Sequence, residues 1–134
     1  MPSPRALYDN HLVKRPLGAR VAADSEVDGG AEVEIAVLTA SFDARPGAEA
    51  ELASALARYV VLTRRENACR NVDLVASVTH DRRFLVIEKW DSAAAVQAHL
   101  DSQLMTEMAR DALSSLAAKP AIDLYDSISA HDLA

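Results

Sequence analysis

The sequence predicts an α+β domain in which helices cover one face of a four-stranded antiparallel sheet, and three observations carry the prediction. Residues Arg83–Ser92 alternate as a strand that is apolar on both faces and leads directly into a helix start. A second β-rich segment lies a few residues upstream, which is typical of a hairpin. Helical periodicity and further strands complete the order strand, helix, strand, strand, helix, strand.

The first half of the domain is predicted to contain a strand, a helix and a second strand. Glu32–Phe42 is rich in β-branched residues, which favours a strand, and Pro46–Gly47 marks the turn after it. Ala48–Asn67 has a glutamate-rich start and an arginine-rich end, an arrangement that complements the helix dipole. Its buried face, at helical spacing, consists of Leu52, Leu56, Tyr59, Val60 and Thr63. Val72–Thr79 is the second strand.

The second half is predicted to pass through a hairpin into helices and a last strand. His80–Arg83 forms a tight connection between the second and third strands. Asp91 or Ser92 supplies an N-cap oxygen for the helix that follows, and Pro120 ends the helical region. The remaining elements are helices at Ser92–Asp101 and Gln103–Ala118 and a strand at Ala121–Ile128. This order is that of the ferredoxin-like split βαββαβ fold.

The two faces of the third strand have different neighbours in this arrangement. Glu88 and Trp90 share one parity and point under the helices. Leu85 and Ile87 point to the opposite sheet face, which the helices leave uncovered. Because that face is apolar, we expect a homodimer in which two sheets pack face to face.

Composition and charge indicate a single domain and limit the kinds of molecule that the protein is expected to bind. The chain has 134 residues and a net charge of −6, which suits one domain and disfavours binding to nucleic acids or anionic membranes. No apolar segment is long enough for a transmembrane helix. Cys69 is the only cysteine, so no internal disulfide forms and a cytoplasmic location is expected. Residues 1–31 are predicted to be a flexible or loosely packed N-terminal extension, and residues 32–134 form the domain.

Several motifs along the chain resemble those of antibiotic biosynthesis monooxygenase domains. They are Arg45–Gly47, Glu66–Cys69, the hairpin, Ile87–Ser92 and Ala98–Leu100. The resemblance covers about residues 33–128 and implies a ferredoxin-like fold that pairs into a dimeric α+β barrel. The family includes quinol monooxygenases, haem degraders, isomerase-like members and proteins of no known function.

The resemblance also implies positions for site residues. Polyketide-oxidising members use an Asn, a Trp, a Tyr and an Arg around a pocket between sheet and helices. Aligned through the tryptophan at the strand end, this chain keeps Trp90 and Arg110, whereas Val86 and Val96 stand at the Asn and Tyr positions. With two of the four polar groups replaced, a different substrate is expected.

No metal or other cofactor is expected. Haem-degrading members need a first-strand Asn and a helix His, and the corresponding positions are Ala40 and Met108. The four histidines are far apart, and no pair has the spacing of helical metal ligands. The sequence contains neither a glycine-rich phosphate loop nor the G-x-S-x-G motif of serine hydrolases.

Four residues are candidates for catalysis, and each also has a purely structural interpretation. Glu88, desolvated under the helices, is a candidate base or a carboxylate paired with Arg110 or a backbone N–H. Trp90 is a candidate N–H donor to oxygen or substrate, or a core aromatic. His99 is a candidate base for a phenol or a packing histidine at a helix end. Arg110 is a candidate partner for a phenolate, or a surface helix residue paired with Glu107 or Asp111.

The sequence therefore favours a cofactor-independent monooxygenase whose partners are a small aromatic substrate and O2. A base would remove a phenolic proton, and the anion would pass an electron to O2 in a dry pocket. The expected lining of that pocket is Phe42, Val86, Val96, Leu104 and Met108. Two alternatives stay open, a dimeric binding protein without oxygenase chemistry and a cofactor-free isomerase.

Overall fold

The elements of the fold follow the predicted order. The structure, a computed structural model, describes residues 34–129, so the predicted extension at residues 1–31 lies outside the described residues. The elements are β1 (Ala36–Asp43), α1 (Glu49–Thr63), β2 (Cys69–Ala76), β3 (Arg83–Trp90), α2 (Ala93–Leu100), α3 (Gln103–Ala112), a 3-10 turn (Leu113–Ser115) and β4 (Ala121–Asp126).

The strands form one sheet in the order β2-β3-β1-β4, and every neighbouring pair is antiparallel. The ferredoxin-like α+β fold predicted from the sequence is thereby confirmed. β3 and β1 are the central strands, so side chains on their inner faces are covered on both sides within the sheet. This position makes β3 the best-shielded place in the fold for a polar side chain.

The hairpin between β2 and β3 differs from the prediction. β2 ends at Ala76 rather than Thr79, and residues 77–82 form a loop instead of a tight four-residue connection. The Ser77 hydroxyl accepts hydrogen bonds from the backbone N–H groups of Thr79 and His80, which turns the chain out of the strand. Arg82 completes the turn with a positive φ of 67°. The loop is therefore built by local side-chain bonds that compete with the strand ladder.

Other boundaries move because tertiary hydrogen bonds compete with local preference. The helix predicted at Gln103–Ala118 ends as an α-helix at Ala112 and continues as the 3-10 turn. Beyond it, the backbone N–H of Ala117 donates to Asp43 O at 2.8 Å, and Arg45 N–H donates to Ser115 O at 2.8 Å. These bonds to the end of β1 hold residues 115–117 in place and prevent a longer helix.

The first strand, the first helix and the last strand are each shorter than predicted at one end. β1 begins at Ala36 rather than Glu32 and runs to Asp43, which pairs with Arg83. The helix predicted at Ala48–Asn67 ends at Thr63, because residues 64–68 turn back towards β2. The strand predicted at Ala121–Ile128 ends at Asp126.

Burial follows strand parity as predicted. On β1 and on β3 from Val86 onward alternate residues are fully buried under the helices, and the others are partly exposed on the open sheet face; Phe84 is only partly buried. The open face carries Leu85 and Ile87 at its centre, with the exposed side chains of Val75 and Tyr125 on the flanking strands. Between residues 34 and 129, no helix is long and apolar enough to cross a membrane.

Candidate active site

A buried carboxylate, Glu88, lies at the centre of the sheet. Its neighbours across the strands are Leu38 on β1 and Val72 on β2, and both are fully buried. Only 2% of Glu88 is exposed. Desolvation by this apolar surrounding raises the pKa of Glu88 from 4.5 to about 7, although hydrogen bonds from Tyr59 and Trp90 act in the opposite direction. The carboxyl therefore gains or loses a proton near neutral pH.

Two side chains hold the Glu88 carboxyl group. The indole N–H of Trp90, two residues along β3, donates to Glu88 Oε1 at 2.8 Å. The Tyr59 hydroxyl, on the buried face of α1, lies 2.5 Å from Glu88 Oε2. The sequence predicted Arg110 or a backbone N–H as the structural partner of this carboxyl, and the structure has tyrosine and tryptophan in that place.

His99 continues the network from α2. Its Nε2 lies 2.6 Å from the Tyr59 hydroxyl oxygen, and its Nδ1 lies 2.8 Å from Glu66 Oε2. The imidazole is 2% exposed and packs on the Trp90 ring with centroids 4.5 Å apart. Burial lowers the pKa of His99 from 6.5 to about 4, which favours the neutral ring. A neutral imidazole both donates and accepts a hydrogen bond, so it can link two acidic groups.

Local structure explains why these side chains meet. The Ser92 side chain accepts a hydrogen bond from Ala95 N and starts α2 two residues after Trp90. Two turns later the helix places His99 over the Trp90 ring. Glu66 lies in the turn after α1, where its carbonyl accepts a hydrogen bond from Cys69 N at 3.0 Å. The two ends of the network are therefore fixed by a capped helix and a closed turn.

The network ends at the surface in a cleft of about 440 Å³. The Glu66 side chain is 33% exposed and forms part of the cleft wall. Burial raises the pKa of Glu66 above its usual value. The cleft lies between the turn after α1 and the helix α2, and its lining comprises Arg65, Glu66, Asn67, Ala68, Trp90, Ala95, Ala98 and His99. It offers an apolar wall, formed by Ala95 and Ala98, beside a carboxylate.

The residues predicted to line the pocket do not meet in one cavity. Phe42, Val86 and Val96 are fully buried in the hydrophobic core. Leu104 and Met108 line a shallow groove between α1 and α3, with Tyr59 at its base. Within residues 34–129, no group of three or more His, Cys, Asp or Glu side chains is arranged to hold a metal ion.

Arg110 is placed apart from the other three predicted catalytic residues. It lies on the exposed side of α3, whereas Glu88, Trp90 and His99 share the buried network. The structural interpretation of Arg110 allowed a bond to Asp111, but the arginine within 4 Å of that carboxylate is Arg58, at 3.8 Å. The structure thus brings three of the four predicted residues together.

Tyr59 and Glu66 belong to the network and were not predicted as site residues. Tyr59 was assigned to the buried face of the first helix, and Glu88 to the buried face of the third strand. A hydroxyl and a carboxyl on two buried faces both need partners, and this requirement is a signal for their pairing. Glu66 carries no such signal, because it lies in a turn.

The fold and the site can now be compared with known proteins. Residues 35–111, more than half of the chain, match the antibiotic biosynthesis monooxygenase family. The chain belongs to this family. None of the curated proteins matches the sequence.

Solved structures with the same fold support the architecture. A protein of unknown function from Nitrosomonas europaea is 25% identical, covers 76% of this chain and 97% of its own, and has a TM-score of 0.68. A protein from Shewanella oneidensis is 26% identical, covers 72% of this chain and 93% of its own, and has a TM-score of 0.65. A structure described as an antibiotic biosynthesis monooxygenase is 22% identical, with coverage of 69% and 98% and a TM-score of 0.64.

Proposed function

We propose that this protein is a cytoplasmic monooxygenase that oxidises a phenolic or hydroquinone-type small molecule with O2 and without a cofactor. The observation that carries the proposal is the hydrogen-bonded network of Glu88, Tyr59, His99 and Glu66, which connects a buried base to an open cleft. Family membership supports monooxygenase chemistry. The cleft supplies a carboxylate, Glu66, beside the apolar residues Ala95 and Ala98, against which a flat ring can pack.

The reaction balances with the substrate as the source of electrons. Glu66 accepts the phenolic proton, and the phenolate transfers one electron to O2 to give a phenoxyl radical and superoxide. The two radicals form a carbon–oxygen bond, which yields a peroxide on a ring carbon that carries hydrogen. Protonation of the peroxide, loss of that C–H proton and cleavage of the O–O bond release water and leave a quinone carbonyl. One oxygen atom of O2 enters the product and the other leaves in water.

The cleft residues have distinct roles in this proposal. Glu66 is the group that meets the substrate hydroxyl, because it is the exposed end of the network. Ala95 and Ala98 form an apolar floor on α2. His99 lies behind Glu66 and sets the orientation of its carboxylate through the bond from Nδ1. Arg110 has no role at this cleft.

We expect oxygen consumption by the full chain with at least one member of a panel of phenols and hydroquinones. One O2 should be consumed per product, and one atom of ¹⁸O from labelled O2 should enter it. Glu66→Gln should lower kcat/KM by about 10²-fold or more, because the amide cannot accept the proton. Glu34→Gln is the matched control, since Glu34 is exposed outside the cleft and should leave the rate unchanged.

Other outcomes of this assay identify the alternatives. A thermal shift with one compound, without oxygen uptake for any, would mean that the protein binds and does not oxidise. Turnover that continues unchanged under argon would identify an isomerase, because the same base can remove a proton beside a carbonyl group. A Glu66→Gln enzyme as active as the Glu34→Gln control would reject the assigned base.

We propose further that the open sheet face pairs with the same face of a second copy. Leu85 and Ile87 form its apolar centre and are only partly buried in one chain. Leu85→Asp should convert a dimer into a monomer in light scattering at micromolar concentration, because it would bury an unpaired charge. Val78→Asp is the control, since Val78 is 100% exposed in the hairpin loop. A wild-type monomer, or a dimer that survives Leu85→Asp, would contradict the proposal.

A further inference from the structure

The network contains three short contacts in series, and each contact needs one proton. They join Glu88 Oε2 to Tyr59 Oη at 2.5 Å, Tyr59 Oη to His99 Nε2 at 2.6 Å, and His99 Nδ1 to Glu66 Oε2 at 2.8 Å. At such distances two lone pairs without a proton between them repel each other. Tyr59 brings one proton, and a neutral His99 brings one more. A fully bonded chain therefore requires one additional proton.

This additional proton can reside at any of three positions with every contact satisfied. If Glu88 holds it, Glu88 donates to Tyr59, Tyr59 donates to His99, and His99 donates to Glu66. If His99 holds it, the imidazolium donates at both ends, and Tyr59 donates to Glu88. If Glu66 holds it, Glu66 donates to His99, His99 donates to Tyr59, and Tyr59 donates to Glu88, so all three bonds run opposite to the first arrangement. The Trp90 N–H bond to Glu88 Oε1 is the same in each arrangement.

We propose that Glu88, Tyr59, His99 and Glu66 form a proton relay that holds one shared proton and carries it between the buried centre of the sheet and the cleft. The catalytic role of the relay rests on the monooxygenase function proposed above, whereas the relay itself exists without substrate. Tyr59 is the closer link, because its hydroxyl oxygen lies 2.5 Å from Glu88 Oε2 and 2.6 Å from His99 Nε2, whereas Glu88 Oε1 and His99 Nε2 are 3.5 Å apart.

The surroundings keep the shared proton within the relay. From β1, the cross-strand neighbour of Glu88 is the apolar Leu38. On β2, burial raises the pKa of the Cys69 thiol to about 11, so it stays neutral. Arg64, after α1, donates to Val72 O at 3.0 Å. Arg65 lines the cleft beside Glu66, so its charge reaches only the exposed end. The relay therefore exchanges protons through Glu66.

The proposed reaction needs such a relay at two steps. In its deprotonated form the relay accepts the phenolic proton at Glu66 and stores it at Glu88, which restores the Glu66 carboxylate. The stored proton then returns through His99 to the peroxide oxygen. In the final step the same carboxylate takes the C–H proton and passes it to the departing hydroxide, which forms water. The relay ends the cycle as it began.

The relay is tested by NMR on the full chain labelled with ¹³C and ¹⁵N, without substrate. The carboxyl carbon of Glu88 and both ring nitrogens of His99 should titrate together, with one common midpoint near pH 7. In Tyr59→Phe the link is removed while the ring volume stays, so Glu88 and His99 should titrate with separate midpoints. Glu34→Gln is the control, because Glu34 is exposed outside the cleft, and this variant should retain the common midpoint.

Two results would overturn the relay. One is a wild-type protein in which the His99 nitrogens stay constant while Glu88 titrates. The other is a Tyr59→Phe variant that keeps the common midpoint. If Tyr59→Phe gives no folded spectrum, Glu66→Gln takes its place, and the common midpoint should move to lower pH, because the Glu66 charge raises the pKa of Glu88. A midpoint that stays at the Glu34→Gln value would then reject the relay. Absence of oxygen uptake would reject the monooxygenase and leave these titrations unaffected.

Discussion

The contribution of the Glu88–His99 pair to the free energy of unfolding should rise with pH between about 4 and 6.5 in Glu88→Gln, and it should fall between about 4.5 and 7 in His99→Gln. The two slopes have opposite signs because burial moves the two pKa values in opposite directions. Each substitution removes one titrating group and leaves the effect of the other visible. Both amides can still donate and accept the hydrogen bonds of the network.

The signs follow from where the folded and unfolded states hold protons. The pKa of Glu88 is raised from 4.5 to about 7, so its stabilisation is complete below pH 4.5 and is lost as pH rises through about 7. The pKa of His99 is lowered from 6.5 to about 4, so its stabilisation is complete above pH 6.5 and is lost as pH falls through about 4. Between pH 4.5 and 6.5 the folded wild type holds one proton on Glu88, and the unfolded wild type holds one proton on His99. The two residues' contributions to the pH dependence of the unfolding free energy therefore cancel.

Each slope should amount to about 3 kcal/mol across its window, since one pKa unit corresponds to about 1.4 kcal/mol. Urea unfolding at pH 4.5, 5.5, 6.5 and 7.5 measures it, with Glu34→Gln as the control for removing an exposed carboxylate. Parallel curves for wild type, Glu88→Gln and His99→Gln would mean that folding does not shift the pKa values of Glu88 and His99 in opposite directions.

Much of the site follows from local sequence patterns. Strand parity places Glu88 and Trp90 on one buried face of β3, because successive side chains point to opposite sides. The cap at Ser92 sets the start of α2, and helical rise then brings His99 back over Trp90. These three residues lie within 12 positions of one another, from 88 to 99, so short-range geometry is sufficient to bring them together.

The rest of the site depends on packing that periodicity does not determine. Tyr59 and Glu88 are 29 positions apart, and the helical pattern marks Tyr59 as buried without showing which strand residue it faces. The residues predicted to line the pocket are dispersed for a related reason. Alignment carries the positions of Val86 and Val96 over from the relatives, but not the volume around them, and here apolar side chains fill that volume. The cleft forms instead where α2 and the turn after α1 leave a gap.

Trp90→Phe and Glu88→Met should each destabilise the fold by about 1–3 kcal/mol beyond any loss of packing, because each leaves a buried polar partner unsatisfied. In Trp90→Phe the partner is Glu88 Oε1, which loses the N–H at 2.8 Å. In Glu88→Met it is the Trp90 N–H, whereas Tyr59 keeps His99 as its acceptor. The double variant contains neither the indole N–H nor the carboxyl group, so neither is left unsatisfied. Its loss of unfolding free energy should therefore be smaller than the sum of the losses in the two single variants.

A double-mutant cycle by urea unfolding at pH 6 measures this coupling free energy, expected at about 1–3 kcal/mol. The smaller volume of Phe costs the same with either residue at position 88 and cancels in the cycle. Val78→Ala combined with Glu88→Met is the control and should be additive, because Val78 is 100% exposed in the hairpin loop. Additivity of Trp90→Phe and Glu88→Met would mean that the indole N–H is not committed to Glu88. The N–H would then be available to a bound substrate. Trp90 would act as a hydrogen-bond donor to that substrate, as one interpretation of the sequence predicted, and not as the donor that holds Glu88.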